Sequence, residues 1–269
     1  MTSNEEHFKI GPTRWDYSIQ RYKPNRDVFC EKGLFSVIFL ACGRPEITRR
    51  SLLSTIDSEV MYNGEIEWIF IENGRSQENL EFFEHFCMPR KVIIRQNNYG
   101  INEGLNQGWA LSRGEYVMIH ENDWECRYME DFFSISKDIL DEKQDVGIVQ
   151  LRAVNDPCEN WGYGKPEYSP WSSTQEALEK AKIKVWKEKT KNGHPYFISV
   201  FPNGFNNNPI IMRKSLYREC GPYPEPELGT DPRHGETEYQ ERVAKTGCAV
   251  AHIGIELYFH CGQLTTKAN

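Results

Sequence analysis

Leu34-Phe-Ser-Val-Ile-Phe-Leu40 is an almost unbroken run of apolar and β-branched residues, and it ends abruptly at Ala41-Cys-Gly-Arg-Pro45. A run of that kind suits a strand buried on both faces, as in a parallel sheet. The same grammar then repeats. A helical pattern over Thr48 to Ser58 leads to a strand at Glu67-Trp-Ile-Phe-Ile71, which closes on Glu72-Asn73-Gly74. A helix carrying Leu80, Phe82, Phe83 and Phe86 precedes a strand at Val92 to Ile94, and a loop-helix from Asn98 to Leu111 precedes a strand at Tyr116 to Ile119. Strand-helix alternation with short loops predicts a parallel sheet with helices on both faces. Ligands of such sheets collect at the carboxyl ends of the strands. Those ends here carry Cys42-Gly-Arg44, Glu72-Asn-Gly74 and Glu121-Asn-Asp123.

Beyond residue 150 the pattern changes. Residues 155–205 are rich in Pro, Gly and aromatics, with a charged helix expected from Ser173 to Lys189. Its lysines (Lys180, Lys182, Lys184, Lys187, Lys189, Lys191) read either as a solvated helix face or as a contact surface for an anionic partner. A short strand is expected over Asn208 to Met212, with a helix from near Arg213. Another helix runs from about Gly235 to Lys245-Thr-Gly247, where the glycine caps it. Val250 to Phe259 reads as a closing strand or pair of strands.

The chain of 269 residues carries a formal charge of −7, which gives nucleic-acid binding little electrostatic support. Its eight cysteines are scattered without a C-x-x-C pair, which argues against a zinc module and suits free thiols. No apolar run approaches the roughly 20 residues that span a bilayer, and the polar N-terminus lacks a signal-peptide core. A soluble, cytoplasmic protein is the expectation.

The chemistry concentrates in Gly114-Glu-Tyr-Val-Met-Ile-His-Glu-Asn-Asp-Trp-Glu125. Two carboxylates spaced i, i+2 just past a buried strand can face one small volume. Hard oxygen ligands of that type suit Mg²⁺ or Mn²⁺, which also bridges a diphosphate. The plain alternative is a solvated acidic turn.

Four segments occur in order: Ser36-Val-Ile-Phe-Leu-Ala-Cys-Gly-Arg-Pro45, Ile69-Phe-Ile-Glu-Asn-Gly74, Asn98-Tyr-Gly-Ile-Asn-Glu-Gly-Leu-Asn-Gln-Gly108, and Gly114-Glu-Tyr116 through Asp123. Together they resemble the nucleotide-binding half of family 2 glycosyltransferases, with their D-D-G-S, N-x-G and D-x-D segments. The resemblance implies an α/β fold of the GT-A type, a mostly parallel central sheet flanked by helices. It would span residues 34–269 after an N-terminal arm (1–33), with a nucleotide-binding half (34–150) and an acceptor-binding half (151–269). By position, Ala41, Cys42 and Arg44 would line the base pocket, and Glu72 would contact the base or ribose. Asn98, Asn106 and Asn122 would lie near the nucleotide, Glu121 would approach the ribose and the metal, and Asp123 would bind the metal. Glu replaces the family's Asp at both 72 and 121.

The resemblance continues through Phe205 to Tyr223 and His234-Gly-Glu-Thr-Glu-Tyr-Gln-Glu-Arg242. Anchoring on Arg242 and Gly247 places Glu236 at the family's catalytic position, with Glu238 as second candidate. A carboxylate there would act as general base toward an acceptor hydroxyl, while an acid at a helix N-terminus is also favourable for structural reasons alone. Phe259-His-Cys-Gly262 resembles the family's H-x-G ending, whose histidine can join the metal, so His260 is a third metal candidate beside a simple strand histidine. Trp161 and Trp171 are acceptor-side candidates, because aromatic faces suit sugar rings. The implied activity is metal-dependent, inverting transfer from a nucleotide-diphosphate sugar, a UDP-sugar above all, to a glycan or glycoprotein. The rivals are a sugar nucleotidylyltransferase and a binding module without chemistry. The first would need a Gly-rich, basic first loop, and Cys42-Gly-Arg-Pro45 offers one Gly and one Arg.

Overall fold

A computed structural model describes residues 29–59, 61–86, 88, 90–128, 130–151, 185–199, 209–224, 233–253 and 257–261. Trp161, Trp171, residues 1–28 and the lysines at 180, 182 and 184 lie outside them.

The first half alternates as expected. Strands β1 (Glu31–Ala41), β2 (Ile66–Glu72), β3 (Lys91–Arg95) and β4 (Gly114–Glu121) are separated by helices α1 (Pro45–Glu59), α2 (Gln77–His85) and α3 (Ile101–Leu111). Helix α1 starts a turn earlier than its apolar pattern, because Pro45 suits a first helical position, where its missing N–H costs nothing. Then follow β5 (Trp124–Cys126), α4 (Phe132–Glu142) and β6 (Val146–Gln150). The second half adds β7 (Val185–Lys189), β8 (Pro195–Ser199), β9 (Ile210–Arg213), α5 (Lys214–Cys220), α6 (Arg233–Thr246), β10 (Ala249–Ile253) and β11 (Tyr258–His260). Gly247, at φ +72°, ends α6 as its position predicts.

Among the described residues the main sheet has the order β3-β2-β1-β4-β9-β6-β10-β8-β7, and only β8 and β9 run against the common direction. Both faces are covered. Phe35, Val37 and Phe39 of β1 pack with Leu52 of α1, Phe83 of α2 and Phe132 and Ile139 of α4. Ile38 and Leu40, on the opposite face, join Leu105 and Trp109 of α3, Leu216 of α5 and Tyr239 of α6. That two-sided burial is the cause of the unbroken apolar run, since alternation would leave polar groups under one helix layer. Each such side chain contributes about 1.5–3 kcal/mol of transfer free energy.

One expectation fails. The charged helix does not reach Lys189: residues Val185–Lys189 form edge strand β7, paired antiparallel with β8. Val185 and Trp186 favour strands, and the Asn192-Gly193 turn closes a hairpin in which Thr190 N–H donates to His194 O at 3.0 Å and Gly193 sits at φ +86°. An edge strand bearing charges also resists pairing with another chain. The exposed Lys191 pairs with Asp138 of α4 at 3.0 Å, so it is not part of a helix face. Among the described residues no helix is long and apolar enough to cross a membrane, and no cysteine forms a disulfide.

Two buried histidines make stability pH-dependent. Burial pushes the His120 ring down to about 4 and His252 down to about 3. His120 is fully enclosed, with Ser51 Oγ and Trp124 O each 3.1 Å from Nε2. Because the unfolded rings titrate near 6.5, the unfolded chain binds more protons below that value. The stabilisation is complete above about pH 6.5 and is lost as pH falls toward the folded values. At pH 5 each ring is expected to cost about 2 kcal/mol relative to pH 7.5. Urea melts at the two pH values check this; coincident midpoints, or no flattening in His252→Gln, would refute it.

Candidate active site at the strand ends

Parallel register brings the ends of the first strands level: Ala41 pairs with Glu72, Leu40 with Glu121, and Glu72 with Arg95. The loops that follow therefore share one patch, and three buried side chains knit them together.

Glu72 is the first. Fully buried, its Oε1 accepts the backbone N–H of Gly74 at 2.8 Å and those of Gly43 and Ser76 at 3.2 Å. Its Oε2 accepts Asn79 Nδ2 at 2.6 Å. Asn79 Nδ2 also donates to Gly43 O at 2.8 Å, where Thr48 Oγ1 donates as well. Gly43 and Arg44 are thus held at successive positive φ values, +60° and +52°. For arginine that backbone costs roughly 1–2 kcal/mol, and it persists because both peptide groups of Gly43 are fixed. The expected nucleotide ligand at 72 is turned inward, holding the loop. Glu72→Gln would set its amide against that of Asn79, so a loss of about 1–3 kcal/mol is expected in urea denaturation. An unchanged midpoint would show the carboxylate to be dispensable.

Asn73 is the second. Its Oδ1 accepts Gln96 Nε2 at 2.8 Å and the Tyr99 N–H at 3.3 Å, and its Nδ2 donates to Gly100 O at 3.0 Å. Asn98 lies over the exposed Cys42, with Nδ2 3.7 Å from Sγ. The third is Asn122, whose Nδ2 donates to Thr48 Oγ1 at 2.7 Å. Ala41, Cys42, Arg44, Asn98 and Asn122 therefore do converge.

Asp123 is the centre of charge. Arg44 Nη2 donates to its Oδ2 at 3.1 Å and to Asn122 Oδ1 at 3.0 Å, and His260 Nε2 lies 3.4 Å from the same Oδ2. Burial alone would raise this carboxyl, but His260 and Arg44 together hold it below the usual aspartate range. Its Oδ1 is buried with no hydrogen-bond partner among the described residues. The histidine arrives through β11 pairing with β5, where His260 opposes Trp124, and the Cys261 N–H donates to Asp123 O at 2.7 Å.

Glu121 is different. Burial, then repulsion from Asp123 and Glu236, pushes its carboxyl well above the usual range against the pull of Arg44. Glu236, in the first turn of α6, therefore acts on the same cluster from the opposite half of the chain.

The other expected residues separate. Exposed Glu238 pairs with Arg242 Nη2 at 2.7 Å along the surface of α6, which removes it from the cluster. Asn106 is committed to protein: its Nδ2 donates to Tyr223 O at 3.0 Å, and its Oδ1 accepts the Tyr223 N–H at 2.8 Å. Among the described residues no group of three or more His, Cys, Asp or Glu is arranged to hold a metal ion. Asp123 with His260 is a two-donor set, and the open lone pair on Asp123 Oδ1 fits an ion that takes its other ligands from phosphate and water.

The fold has known parallels. The S. aureus TarS fragment 1–349 superposes with a TM-score of 0.54 at 17% identity, over 84% of this chain and 60% of that one. Its complex with UDP-GlcNAc gives 0.56 at 14% identity, over 84% and 57%. The mannosyltransferase PcManGT from Pyrobaculum calidifontis, in complex with GDP-Man and Mn²⁺, gives 0.55 at 14% identity over 95% and 62%. The chain thus spans about 60% of the length of such relatives, and at these identities they show the fold alone. No curated protein sequence matches significantly. The family model described as glycosyl transferase family 2 matches residues 36–203, more than half of the sequence, and the chain belongs to that family.

Proposed function

We propose that the protein transfers a sugar from a nucleotide-diphosphate donor, a UDP-sugar, to a hydroxyl of a glycan or glycoprotein with inversion at the anomeric carbon. The observation that carries this reading is the buried Oδ1 of an ionised Asp123, without a hydrogen-bond partner among the described residues, beside His260 and Arg44 and next to Glu121, on which the charge of Glu236 acts. Buried polar atoms are normally satisfied, so an orphan on a charged group asks for a ligand. TarS complexes with UDP and UDP-GlcNAc, and the PcManGT complex with GDP-Man and Mn²⁺, support a nucleotide sugar.

In this reading residues 34–150 hold the nucleotide. The loop from Ala41 to Arg44 and Asn98 border the base. Glu121, whose carboxyl burial and the neighbouring Asp123 and Glu236 push well above the usual range, hydrogen-bonds a ribose hydroxyl. Asp123 and His260 would hold Mn²⁺ or Mg²⁺, which would neutralise charge on the departing diphosphate. Glu236 takes the proton of the acceptor hydroxyl on the face opposite the leaving group. Residues 151–269 supply the acceptor side, with Trp161 and Trp171 as sugar-ring contacts.

The test is donor hydrolysis. UDP-glucose, UDP-galactose, UDP-N-acetylglucosamine and GDP-mannose are incubated singly with the protein and Mn²⁺, and free nucleoside diphosphate is measured. Slow release from one of them, abolished by EDTA and matched by a rise in melting temperature, is expected. Neither release nor a thermal shift with any donor would overturn the reading.

A further inference from the structure

Helix α3 presents two asparagines, Asn102 and Asn106, on one face a turn apart. Asparagine is a poor helix former, and two within eleven residues call for a reason. Both amides bond residues 223 and 224, and each attachment also touches the helix that carries Glu236. Asn102 is buried, and its Nδ2 donates to Pro224 O at 2.9 Å. Against the same amide packs Gly235, the residue before Glu236. A Cβ there would stand 1.9 Å from Asn102 Nδ2 and 2.9 Å from Cγ. Gly235 is not among the residues at positive φ, so glycine is needed for space, not for backbone freedom. Asn106 grips both peptide groups of Tyr223, whose ring stacks on Tyr239 of α6 at 3.9 Å and 9°. Tyr239 lies three residues past Glu236 on the same helix. The two attachments therefore bracket Glu236, one residue before it and three after.

At its N-terminus, just ahead of Asn102, α3 follows the loop that Asn73 holds through Gly100 O and Tyr99 N–H. One rigid helix thus joins the nucleotide-side loops to the helix bearing the acceptor-side carboxylate. We infer that Asn102 and Asn106 of α3, seated against Gly235 and Tyr223, are positioning residues that set the reach of Glu236 toward the acceptor. The inference rests on the proposed transferase reading, with Glu236 as base.

The experiment uses Gly235→Ala, assayed by Mn²⁺-dependent release of nucleoside diphosphate from whichever sugar nucleotide the wild type turns over. The added methyl pushes the start of α6 off α3. A displacement of about 1 Å at a reacting group costs about 100-fold in rate, so kcat is expected to fall by about that factor. The Kd for UDP with Mn²⁺, read by calorimetry, stays within about twofold, because the loss is confined to turnover. Asn102→Ala, which leaves Pro224 O without its donor and opens space beside Gly235, is expected to show the same split, with turnover lowered and UDP affinity kept.

Wild-type turnover in Gly235→Ala or in Asn102→Ala, or a loss of UDP affinity that parallels the loss of turnover, would each overturn the inference. If Gly235→Ala fails to fold by near-UV circular dichroism, Asn106→Ala stands in, with the same split between kcat and Kd expected. Unchanged turnover in that variant overturns it equally. Wild-type protein that releases nothing from any donor sinks the transferase reading and this inference together; an active wild type matched by the variants sinks the inference alone.

Discussion

Asp123→Asn is expected to weaken Mn²⁺-dependent UDP binding by about three orders of magnitude. The substitution preserves shape and leaves an oxygen on the side chain, so its effect isolates charge. Asp123 is held ionised against burial by His260 and Arg44, and its Oδ1 is the open acceptor of the cluster. With Asp123 and His260 as the proposed donor pair, 3.4 Å apart, loss of the anion removes half of the protein's grip on the cation. A divalent ion's contact with a charged ligand is worth several kcal/mol, and about 4 kcal/mol corresponds to about 1,000-fold. Calorimetric titration of UDP with and without MnCl₂ gives the number. Affinity for UDP in EDTA is expected to change little or to rise, since Arg44 is released from its carboxylate toward the phosphates. Unchanged Mn²⁺-dependent affinity would move the metal away from position 123.

The sheet was readable because its cause is local. A strand covered on both faces must be apolar throughout, and Leu34 to Leu40 announces that without ambiguity. The strand ends were readable for the same reason, since polar residues past a buried run can only lie at its rim. What a side chain does at the rim depends on partners far along the chain. Nothing in Ile69-Phe-Ile-Glu-Asn-Gly74 says that three backbone N–H groups will turn Glu72 inward. Asn106 is misjudged likewise, because its partner Tyr223 lies 117 positions away. His260 reaches Asp123 only through pairing of the short strands β5 and β11, and the family resemblance supplied that proximity where periodicity offered none. Edge strand β7 carried a signal that charge density obscured: Val185-Trp186 ahead of an Asn-Gly turn spells a hairpin.

Glu236→Gln is expected to lower turnover by about 1,000-fold while leaving the Kd for UDP with Mn²⁺ within about twofold. Gln keeps the volume and the hydrogen-bonding reach but cannot accept a proton from an acceptor hydroxyl. General-base removal typically costs 10²- to 10⁴-fold, about 3–5 kcal/mol of transition-state stabilisation. The start of α6 holds its place, because the contacts of Gly235 with Asn102 and of Tyr239 with Tyr223 do not involve the carboxylate. Glu238→Gln is the matched control. Its carboxylate lies on the helix surface in a pair with Arg242, and such pairs contribute at most about 1 kcal/mol, so near-normal turnover is expected. The two variants also differ electrostatically. Burial is the main reason that the Glu121 carboxyl is pushed up, but the charges of Asp123 and Glu236 add to it, so Glu236→Gln lets Glu121 ionise at lower pH. NMR titration of labelled Glu side chains would detect that downward movement in Glu236→Gln and its absence in Glu238→Gln. Full turnover in Glu236→Gln would place the base elsewhere, and a large loss in Glu238→Gln would reverse the assignment between the two.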